Sequence, residues 1–279
     1  MEHVLYEVRE NVALLTLNRA EYRNAQSWKL LDGLDEALDR AMADDLARVV
    51  VLRGAGGNFS SGHDLGTKEQ VADEDSRAIP SRGTDFYNNF RKYNLEYTLK
   101  WRNLPKPIIA LVEGYCIFGG WMIAASADII FAADGSRFLA GLVEYFSIPW
   151  DVNPRKAKEL VFESRFLSAD EACNLGFVNR VFPSETIEAE TLAYAQRVAE
   201  NSSATLRFSK LAINKIQDAQ GFTSSMESAF ADFLVWYAHS GEDPRKEGSR
   251  RMDGVGLAVR GLEGKRYGLS RSSSDDEGS

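Results

Sequence analysis

Short runs of β-branched residues, each followed by glycines and then by a helical pattern, constrain the fold of this chain more than any other feature. Arg48-Val-Val-Val-Leu52 is such a run, and the absence of alternating polar residues is typical of a strand buried on both faces. It leads into the loop Gly54-Ala-Gly-Gly57. The order recurs at Pro107-Ile-Ile-Ala-Leu-Val112, after which Gly119-Gly120 opens an apolar helix. Alternating strands and helices predict an α/β fold with a mainly parallel sheet.

The flanking segments extend this pattern. Val4–Arg9 and Asn11–Leu17 predict two strands joined by a turn. Ser27 is the predicted N-cap of a helix that ends at Ala43, because apolar residues recur at helical spacing after it. The polar segment Gly66–Gly83 predicts a mobile loop. Further helices are predicted at Phe86–Arg102, Trp121–Ser126, Arg155–Glu163, Ala169–Leu175, Ile187–Asn201, Thr205–Asp218 and Ser224–His239, and further strands at Asp128–Ala132 and Val178–Phe182.

The pattern changes from mixed to mainly helical in the C-terminal third, which predicts a cap or an oligomerisation layer on an α/β core. We therefore divide the chain into a core over residues 1–200, a helical region over 201–265 and a tail over 266–279. The last ten residues, Ser270–Ser279, contain little besides Ser, Asp, Glu and Gly. Such a composition buries too little apolar surface to fold, so we expect the tail to be disordered.

Composition excludes several classes of function. Lys and Arg total 33 against 41 Asp and Glu, and a net charge of −8 makes nucleic acid an unexpected partner. No apolar run reaches the roughly 18 residues of a membrane span. The two cysteines, Cys116 and Cys173, have neither metal-site spacing nor a disulfide framework around them. We expect a cytoplasmic protein without a metal site.

Two loops follow predicted strands at the edge of the sheet where α/β proteins bind ligands. They are Asn58-Phe-Ser-Ser-Gly-His-Asp-Leu65 and Glu113-Gly-Tyr-Cys-Ile-Phe-Gly-Gly-Trp-Met122. Gly119-Gly120 lies at a helix N-terminus, where unpaired N–H groups favour negative charge. Backbone donors from two loops are what an oxyanion hole requires. Close packing of a helix on a strand explains the same glycines, and spacing alone does not decide between the two.

Five segments together resemble the crotonase (enoyl-CoA hydratase/isomerase) superfamily in their order and spacing, over roughly Val4 to Lys265. The resemblance implies a crotonase-like spiral of ββα turns and a C-terminal helical region that trimerises. It also implies an acyl-CoA substrate, with coenzyme A as part of the substrate and no further cofactor. The segments are Leu17-Asn-Arg-Ala-Glu-Tyr-Arg-Asn-Ala25, Phe59-Ser-Ser-Gly-His-Asp-Leu65, Glu113-Gly-Tyr through Gly119-Gly120, Ala127-Asp-Ile-Ile130 and Leu175-Gly-Phe-Val-Asn-Arg-Val181.

The resemblance assigns roles to individual positions. The backbone N–H groups of His63 and Gly119 would bind the thioester oxygen as it becomes an enolate. The nucleotide end of coenzyme A would lie along Arg23, Ala25 and the backbone that leads to His63. The substrate-binding residues that we predict are Arg23, Ala25, Ser61, Gly62, Asp64, Leu65, Phe118, Gly120, Trp121, Met122, Leu142 and Trp150.

The chain departs from the family where its hydratases place two glutamates. Met122 and Leu142 occupy these positions. Neither side chain can activate water or protonate a carbon, and hydration needs both steps. The candidate replacements are Glu144, Asp151 and His63.

Each candidate has a structural alternative. Glu144 would otherwise be a solvated carboxylate on a loop, and Asp151 would cap the helix that begins near Pro154. His63 would hydrogen-bond Asp64 or simply pack. The aromatic residues at the acyl end would stack on a flat acyl group or form core; they are Phe118, Trp121, Tyr145, Phe146 and Trp150.

Three functions are therefore compatible with the sequence. The first is an acyl-CoA enzyme of the hydratase/isomerase type that stabilises a thioester enolate. The second is a double-bond isomerase or a C–C hydrolase acting on a cyclic or aromatic acyl-CoA through Glu144, Asp151 or His63. The third is a catalytically inactive homologue that binds acyl-CoA. Tyr93 and Tyr97 are further candidates for contact with the acyl group, and Arg250, Arg251 and Lys265 for contact with coenzyme A phosphates. In each case we expect a homotrimer or a dimer of trimers.

Overall fold

The computed structural model describes residues 2–78, 80, 83–239 and 259, and its centre is a six-stranded sheet. In spatial order, the strands are β1 (Val4–Arg9), β2 (Val12–Leu17), β3 (Val49–Gly54), β4 (Ile108–Val112), β6 (Ile129–Ala133) and β9 (Arg180–Phe182). Only β1 and β2 are antiparallel; every other neighbouring pair in this sheet is parallel, which confirms the α/β prediction. Glu10 and Asn11 join β1 to β2 with positive φ angles of 45° and 67°, as a tight hairpin turn requires.

A second sheet has three short strands, β5 (Tyr115–Ile117), β7 (Arg137–Leu139) and β8 (Leu167–Ser168), which the sequence analysis did not predict. Gly114 makes the turn from β4 into β5 with a φ of 56°. A Cβ at this position would collide with the carbonyl oxygen of Gly57, so only glycine fits. The chain thus passes from one sheet to the other before it enters the next helix, which gives the ββα unit of the spiral.

Eleven helices surround the sheets in the described part of the chain. They are α1 (Trp28–Ala43), α2 (Lys68–Arg77), α3 (Gly83–Arg91), α4 (Tyr97–Arg102), α5 (Gly119–Ser126), α6 (Ile148–Asp151), α7 (Pro154–Glu163), α8 (Ala169–Asn174), α9 (Ile187–Ala199), α10 (Ser203–Ala219) and α11 (Phe222–His239). The predicted cap of α1 is confirmed, since the Ser27 side chain accepts a hydrogen bond from the backbone N–H of Leu30. A π-helical turn, Lys92–Glu96, joins α3 to α4.

The predicted mobile loop at Gly66–Gly83 is wrong for its central part, because α2 forms there. Thr67 caps this helix by accepting a hydrogen bond from the N–H of Gln70. Polar contacts hold α2 on the protein; its last residue, Arg77, donates to Asp32 of α1 at 2.7 Å. Hydrophobic periodicity did not reveal this helix because ion pairs anchor it.

Both faces of the inner strands β2, β3 and β4 are buried, which explains their non-alternating pattern. In β3, Val50 and Leu52 lie in the larger apolar cluster together with residues of α1. Val49 and Val51 point the other way, into a cluster completed by α9. The carboxyl ends of the central strands are therefore the part of the sheet on which loops can build a site.

The C-terminal helices attach to this core through buried polar contacts. Lys210 of α10 is 8% exposed, and its ammonium group lies 2.8 Å from the carboxylate of Asp128. The outward face of α10 is apolar, with Phe208, Ile213 and Ile216 each more than 60% exposed. No helix in the described part of the chain is long and apolar enough to cross a bilayer. The predictions for Arg250, Arg251, Lys265 and the tail over residues 266–279 lie outside the described residues.

The cap of α1 gives a test of local stability. Ser27→Ala leaves the N–H of Leu30 without its partner, and we expect a loss of about 1 kcal/mol in the free energy of unfolding. Ser202→Ala is the matched control, because Ser202 is the N-cap residue of α10 but its side chain makes no capping hydrogen bond. Urea denaturation of the two variants measures the difference. Equal losses would contradict the assignment of the Ser27 cap.

Candidate active site

The two loops singled out in the sequence lie side by side at the carboxyl end of the sheet. The N–H of Ser60 donates to the carbonyl of Tyr115 at 2.9 Å, and the N–H of Ile117 donates to the carbonyl of Ser60 at 3.0 Å. The loops approach most closely at two glycines. A Cβ on Gly62 would lie 2.8 Å from the carbonyl oxygen of Ile117 and 3.4 Å from the nitrogen of Gly119. Only a residue without a side chain permits this contact.

Two backbone donors in this contact have no partner among the described residues. Neither the N–H of His63 nor that of Gly119, the first residue of α5, donates a hydrogen bond within that part of the chain. Both nitrogens belong to the loops that meet at Gly62. Two unpaired N–H groups in such an arrangement can bind a negatively charged oxygen, which is the chemistry that the resemblance implied.

The structure brings together His63 and Glu144, which the sequence analysis considered separately. The Nε2 atom of His63 lies 3.2 Å from an Oε atom of Glu144, although 81 residues separate them. Glu144 is only 5% exposed, so the alternative of a solvated loop carboxylate is wrong. Burial lowers the pKa of His63, but the charge and hydrogen bond of Glu144 raise it more, and the pKa lies above its ordinary value of 6.5.

The imidazole of His63 also lies against the second unpaired donor. A Cβ on Gly119 would be 3.0 Å from Cε1 of His63 and 2.5 Å from Oε1 of Gln26. Gln26 was not predicted as a site residue. Its backbone binds the residues on either side of His63. The N–H of Gln26 donates to the carbonyl of Gly62 at 2.8 Å, and its carbonyl accepts from the N–H of Asp64 at 3.1 Å. No sequence spacing marks Gln26, since these contacts come from three separate loops.

A buried ion pair fixes the loop immediately after His63. Arg19 is 1% exposed, and its guanidinium donates to the carboxylate of Asp64 at 3.0 Å and to that of Glu69 at 2.9 Å. Burial raises the pKa of Asp64, but hydrogen bonds, chiefly from Thr67, lower it more, so its pKa lies below the usual range. The proposed contact between His63 and Asp64 is therefore wrong, because Asp64 is occupied by Arg19 and Thr67. Arg19 was likewise not predicted.

Asp151, the third acid/base candidate, is held by different partners. Its carboxylate accepts from the indole N–H of Trp121 at 2.8 Å and from the hydroxyl of Ser147 at 2.6 Å. Burial raises its pKa to about 6, although both hydrogen bonds oppose the rise. Asp151 does not cap α7, since the side chain of Asn153 does so. No hydrogen bond among the described residues joins Asp151 to the pair of His63 and Glu144.

The other predicted residues differ in their burial. Met122 lies in an apolar cluster that includes Leu95, Tyr145 and Phe222, so its side chain is in apolar surroundings where the resemblance implied a glutamate. Trp121 is fully buried and stacks on Phe177 at 3.7 Å between ring centroids. The remaining predicted substrate-binding residues range from buried to exposed. Gly120 and Ala25 are buried, Arg23 and Leu65 are exposed, and Leu142, Trp150, Phe118 and Ser61 are half-buried.

Tyr93 and Tyr97 use their hydroxyls within the protein. Both donate to the carboxylate of Asp32, at 3.1 Å and 2.7 Å. Within the described part of the chain, no group of three or more His, Cys, Asp and Glu side chains is placed to hold a metal ion.

Comparisons with known proteins show the family of this chain. The family model described as "Enoyl-CoA hydratase/isomerase" matches residues 7–248. The chain is 35% identical over 268 residues to "Putative enoyl-CoA hydratase EchA13" of Mycobacterium tuberculosis strain H37Rv, covering 86% of this chain and 82% of that protein. The chain belongs to the enoyl-CoA hydratase/isomerase family. The crotonase resemblance is thereby confirmed, and with it the assignment as an enzyme of this family.

Solved structures confirm the fold of this family member. A structure described as a "probable enoyl-COA hydratase" from Mycobacterium thermoresistibile is 38% identical, with a TM-score of 0.77, covering 86% of this chain and 98% of that one. An enoyl-CoA hydratase/isomerase from Xanthobacter autotrophicus Py2 is 30% identical, with a TM-score of 0.75, covering 95% and 94%. The crotonase-type α/β fold is thus established, and the family name leaves the reaction open between hydration and isomerisation.

The pair of His63 and Glu144 gives a pH-dependent test. Because Glu144 raises the pKa of His63, Glu144→Gln should lower that pKa, measured by NMR titration of the imidazole Cε1–H signal. The pair stabilises the fold only while His63 is protonated. Its contribution is therefore complete below the pKa that His63 has in the unfolded chain, and it is lost as pH rises through the higher pKa of His63 in the folded protein. The variant should therefore lose more stability at pH 6 than at pH 9. His3 and His239 are internal controls, and an unchanged His63 titration would contradict the contact.

Proposed function

We propose that this protein binds an acyl-CoA, stabilises its thioester enolate and moves a proton through Glu144 and His63, with double-bond isomerisation as its reaction. The observation that carries the proposal is the 3.2 Å contact between His63 and Glu144, with the imidazole close to Gly119, whose N–H donates to no described residue. Family membership supports the acyl-CoA class of substrate. The acid/base pair and the donors support the chemistry.

The two N–H groups of His63 and Gly119 would hold the thioester oxygen. Removal of an α-proton from an acyl-CoA places negative charge on this oxygen, and the donors stabilise it as it forms. One such donor contributes about 2.7–4 kcal/mol in a well-studied hydrolase. Enolate formation by this route needs no cofactor beyond the coenzyme A of the substrate, and we propose none.

Glu144 would act as the base, with His63 holding its carboxylate in place. In isomerisation of a 3-enoyl to a 2-enoyl thioester, the base takes a proton from the α-carbon and returns it to the γ-carbon. The C–H bond at the α-carbon breaks, a C–H bond at the γ-carbon forms, and the double bond moves by one position. A single carboxylate suffices for both transfers, and no water is added.

Hydration is less well supported because it needs a base for water and an acid for the α-carbon. The two positions at which the family's hydratases carry glutamate hold Met122 and Leu142 here, and Met122 is 2% exposed in an apolar cluster. Asp151 is engaged by Trp121 and Ser147 rather than by the pair. A site with the pair of His63 and Glu144 as its one acid/base group is therefore better suited to moving a proton between two carbons than to adding water.

We further propose that the active protein is a homotrimer or a dimer of trimers. The outward face of α10 presents Phe208, Ile213 and Ile216 to solvent, and exposed apolar patches of this kind are typical of subunit contacts. The same helix turns Lys210 and Asn214 inward, the reverse of the usual arrangement on a surface helix. Both cysteines are unpaired, which supports the cytoplasm as its location.

Mass spectrometry of acyl-CoAs incubated with the protein in deuterated water tests the reaction. The panel contains straight-chain 2-enoyl and 3-enoyl thioesters together with cyclic and aromatic ones. We expect deuterium incorporation and migration of the double bond without gain of water. Glu144→Gln should lower the rate by about 10²–10⁴-fold, as for other general acid–base groups.

Two further variants sharpen this test. His63→Gln removes the imidazole but retains the backbone donor, and its matched control is His3→Gln, which removes the other histidine paired with a glutamate, 2.8 Å from Glu69. Asp151→Asn reports on the competing carboxylate. Gain of water would replace isomerisation with hydration. Loss of activity in Asp151→Asn but not in Glu144→Gln would refute the acid/base pair, and coenzyme A binding without any exchange would indicate an inactive homologue.

A further inference from the structure

Phe118, the residue before the proposed oxyanion donor, has a backbone conformation that side chains normally exclude. Its φ of 45° and ψ of −103° lie outside the left-handed helical region. By contrast, Arg23, Ala78 and Ser164 have positive φ angles within that region. A non-glycine residue in such a conformation is strained and persists only where its surroundings hold it. Contacts of Phe118 must therefore hold this conformation in the folded protein.

The strained torsion directs the N–H of Gly119. The ψ angle of Phe118 sets the orientation of the peptide plane whose nitrogen belongs to Gly119. Both ends of Phe118 are fixed, because its N–H donates to Leu139 at 3.0 Å and its carbonyl accepts from the N–H of Met122 at 3.1 Å. A relaxed ψ would therefore turn the Gly119 N–H or break one of these two hydrogen bonds.

The phenyl ring supplies the anchor. It packs so closely on Gly141 that a Cβ at residue 141 would collide with it. The ring is half-buried between two apolar clusters, one that contains Ile117, Leu139 and Phe166 and one that contains Met122 and Tyr145. Gly141 is the second residue of the loop after β7, which carries Glu144. One ring thus contacts the structures that present both the donor and the base.

We propose that Phe118 is a positioning residue, whose ring, anchored on Gly141, holds the strained backbone that aims the Gly119 N–H and fixes the start of the Glu144 loop. The functional part of this inference rests on the proposed role of that N–H. Glycine would adopt the same torsions without strain but would lack the anchor. Alanine would lack the anchor and retain the strain, so it would relax to another conformation.

A comparison of Phe118→Ala with Phe118→Gly tests the proposal. In the deuterium-exchange assay, we expect kcat of Phe118→Ala to fall by at least about 10²-fold, the loss typical of one missing oxyanion donor, with KM nearly unchanged. Phe118→Gly should recover about tenfold or more of that loss. If only the size of the side chain mattered, Phe118→Ala would have the higher kcat, because alanine is closer in size to phenylalanine than glycine is. Equal activities, or a more active alanine variant, would overturn the proposal.

A matched control separates positioning from stability. Ser164, the C-cap residue of α7, also has a positive φ, at 46°, and lies outside the proposed site. Ser164→Gly should be more stable to heat than Ser164→Ala, while the two variants have equal kcat. A similar difference in kcat at this remote position would show that stability alone explains the Phe118 result.

Crystal structures of the two Phe118 variants give a readout independent of activity. We expect residue 118 to leave the positive-φ region in Phe118→Ala and to keep it in Phe118→Gly. Retention of positive φ in Phe118→Ala would refute the anchoring role of the ring, even if the wild-type protein catalyses exchange. Absence of exchange in the wild type would instead refute the proposed function. The backbone angles of residue 118 in the two variants would then still test whether the ring anchors the strained conformation.

Discussion

The contact between Gly62 and the backbone around Gly119 is the constraint on which the rest of the site depends. It brings a loop after β3 against the N-terminus of α5, at a distance that no side chain would permit. The short backbone ladder between Ser60 and the start of β5 holds the loops in register. Because the contact is made by main chain, each loop has beside it an N–H group, that of His63 or of Gly119, which donates to no other described residue and is available to a ligand.

Two ion pairs lie beside this contact, Arg19 with Asp64 and His63 with Glu144, and we assign them different roles. Arg19 neutralises Asp64, and breaking such a buried pair by removing one partner costs about 3–5 kcal/mol, so we regard it as structural. The pair of His63 and Glu144 is different, since a quarter of the imidazole remains exposed and its pKa is raised. In the proposed reaction, this imidazole orients Glu144, which carries the proton. Asp151 is held by an indole and a hydroxyl and has no cationic partner among its hydrogen bonds.

Met122 and Leu142 stand where the resemblance places the two glutamates of the family's hydratases, and the fold is still that of the family. Met122 extends the apolar cluster between α5 and α11, so the side chain at this position cannot activate water. The carboxylate of Glu144 comes from the loop after β7 and is oriented by a histidine from another loop. We propose that the family scaffold here combines the same enolate chemistry with a different proton carrier.

The sequence by itself determined the α/β class, most element positions and the family, because periodicity, glycine turns and motif order are local properties of the chain. It located both loops and named His63, Gly119 and Glu144. Only the tertiary structure decided that His63 contacts Glu144, that Gln26 and Arg19 belong to the site, and that α2 is helical. These features arise from contacts between residues far apart in sequence, or from ion pairs that leave no hydrophobic pattern. Such contacts exist only after the spiral has brought the loops together.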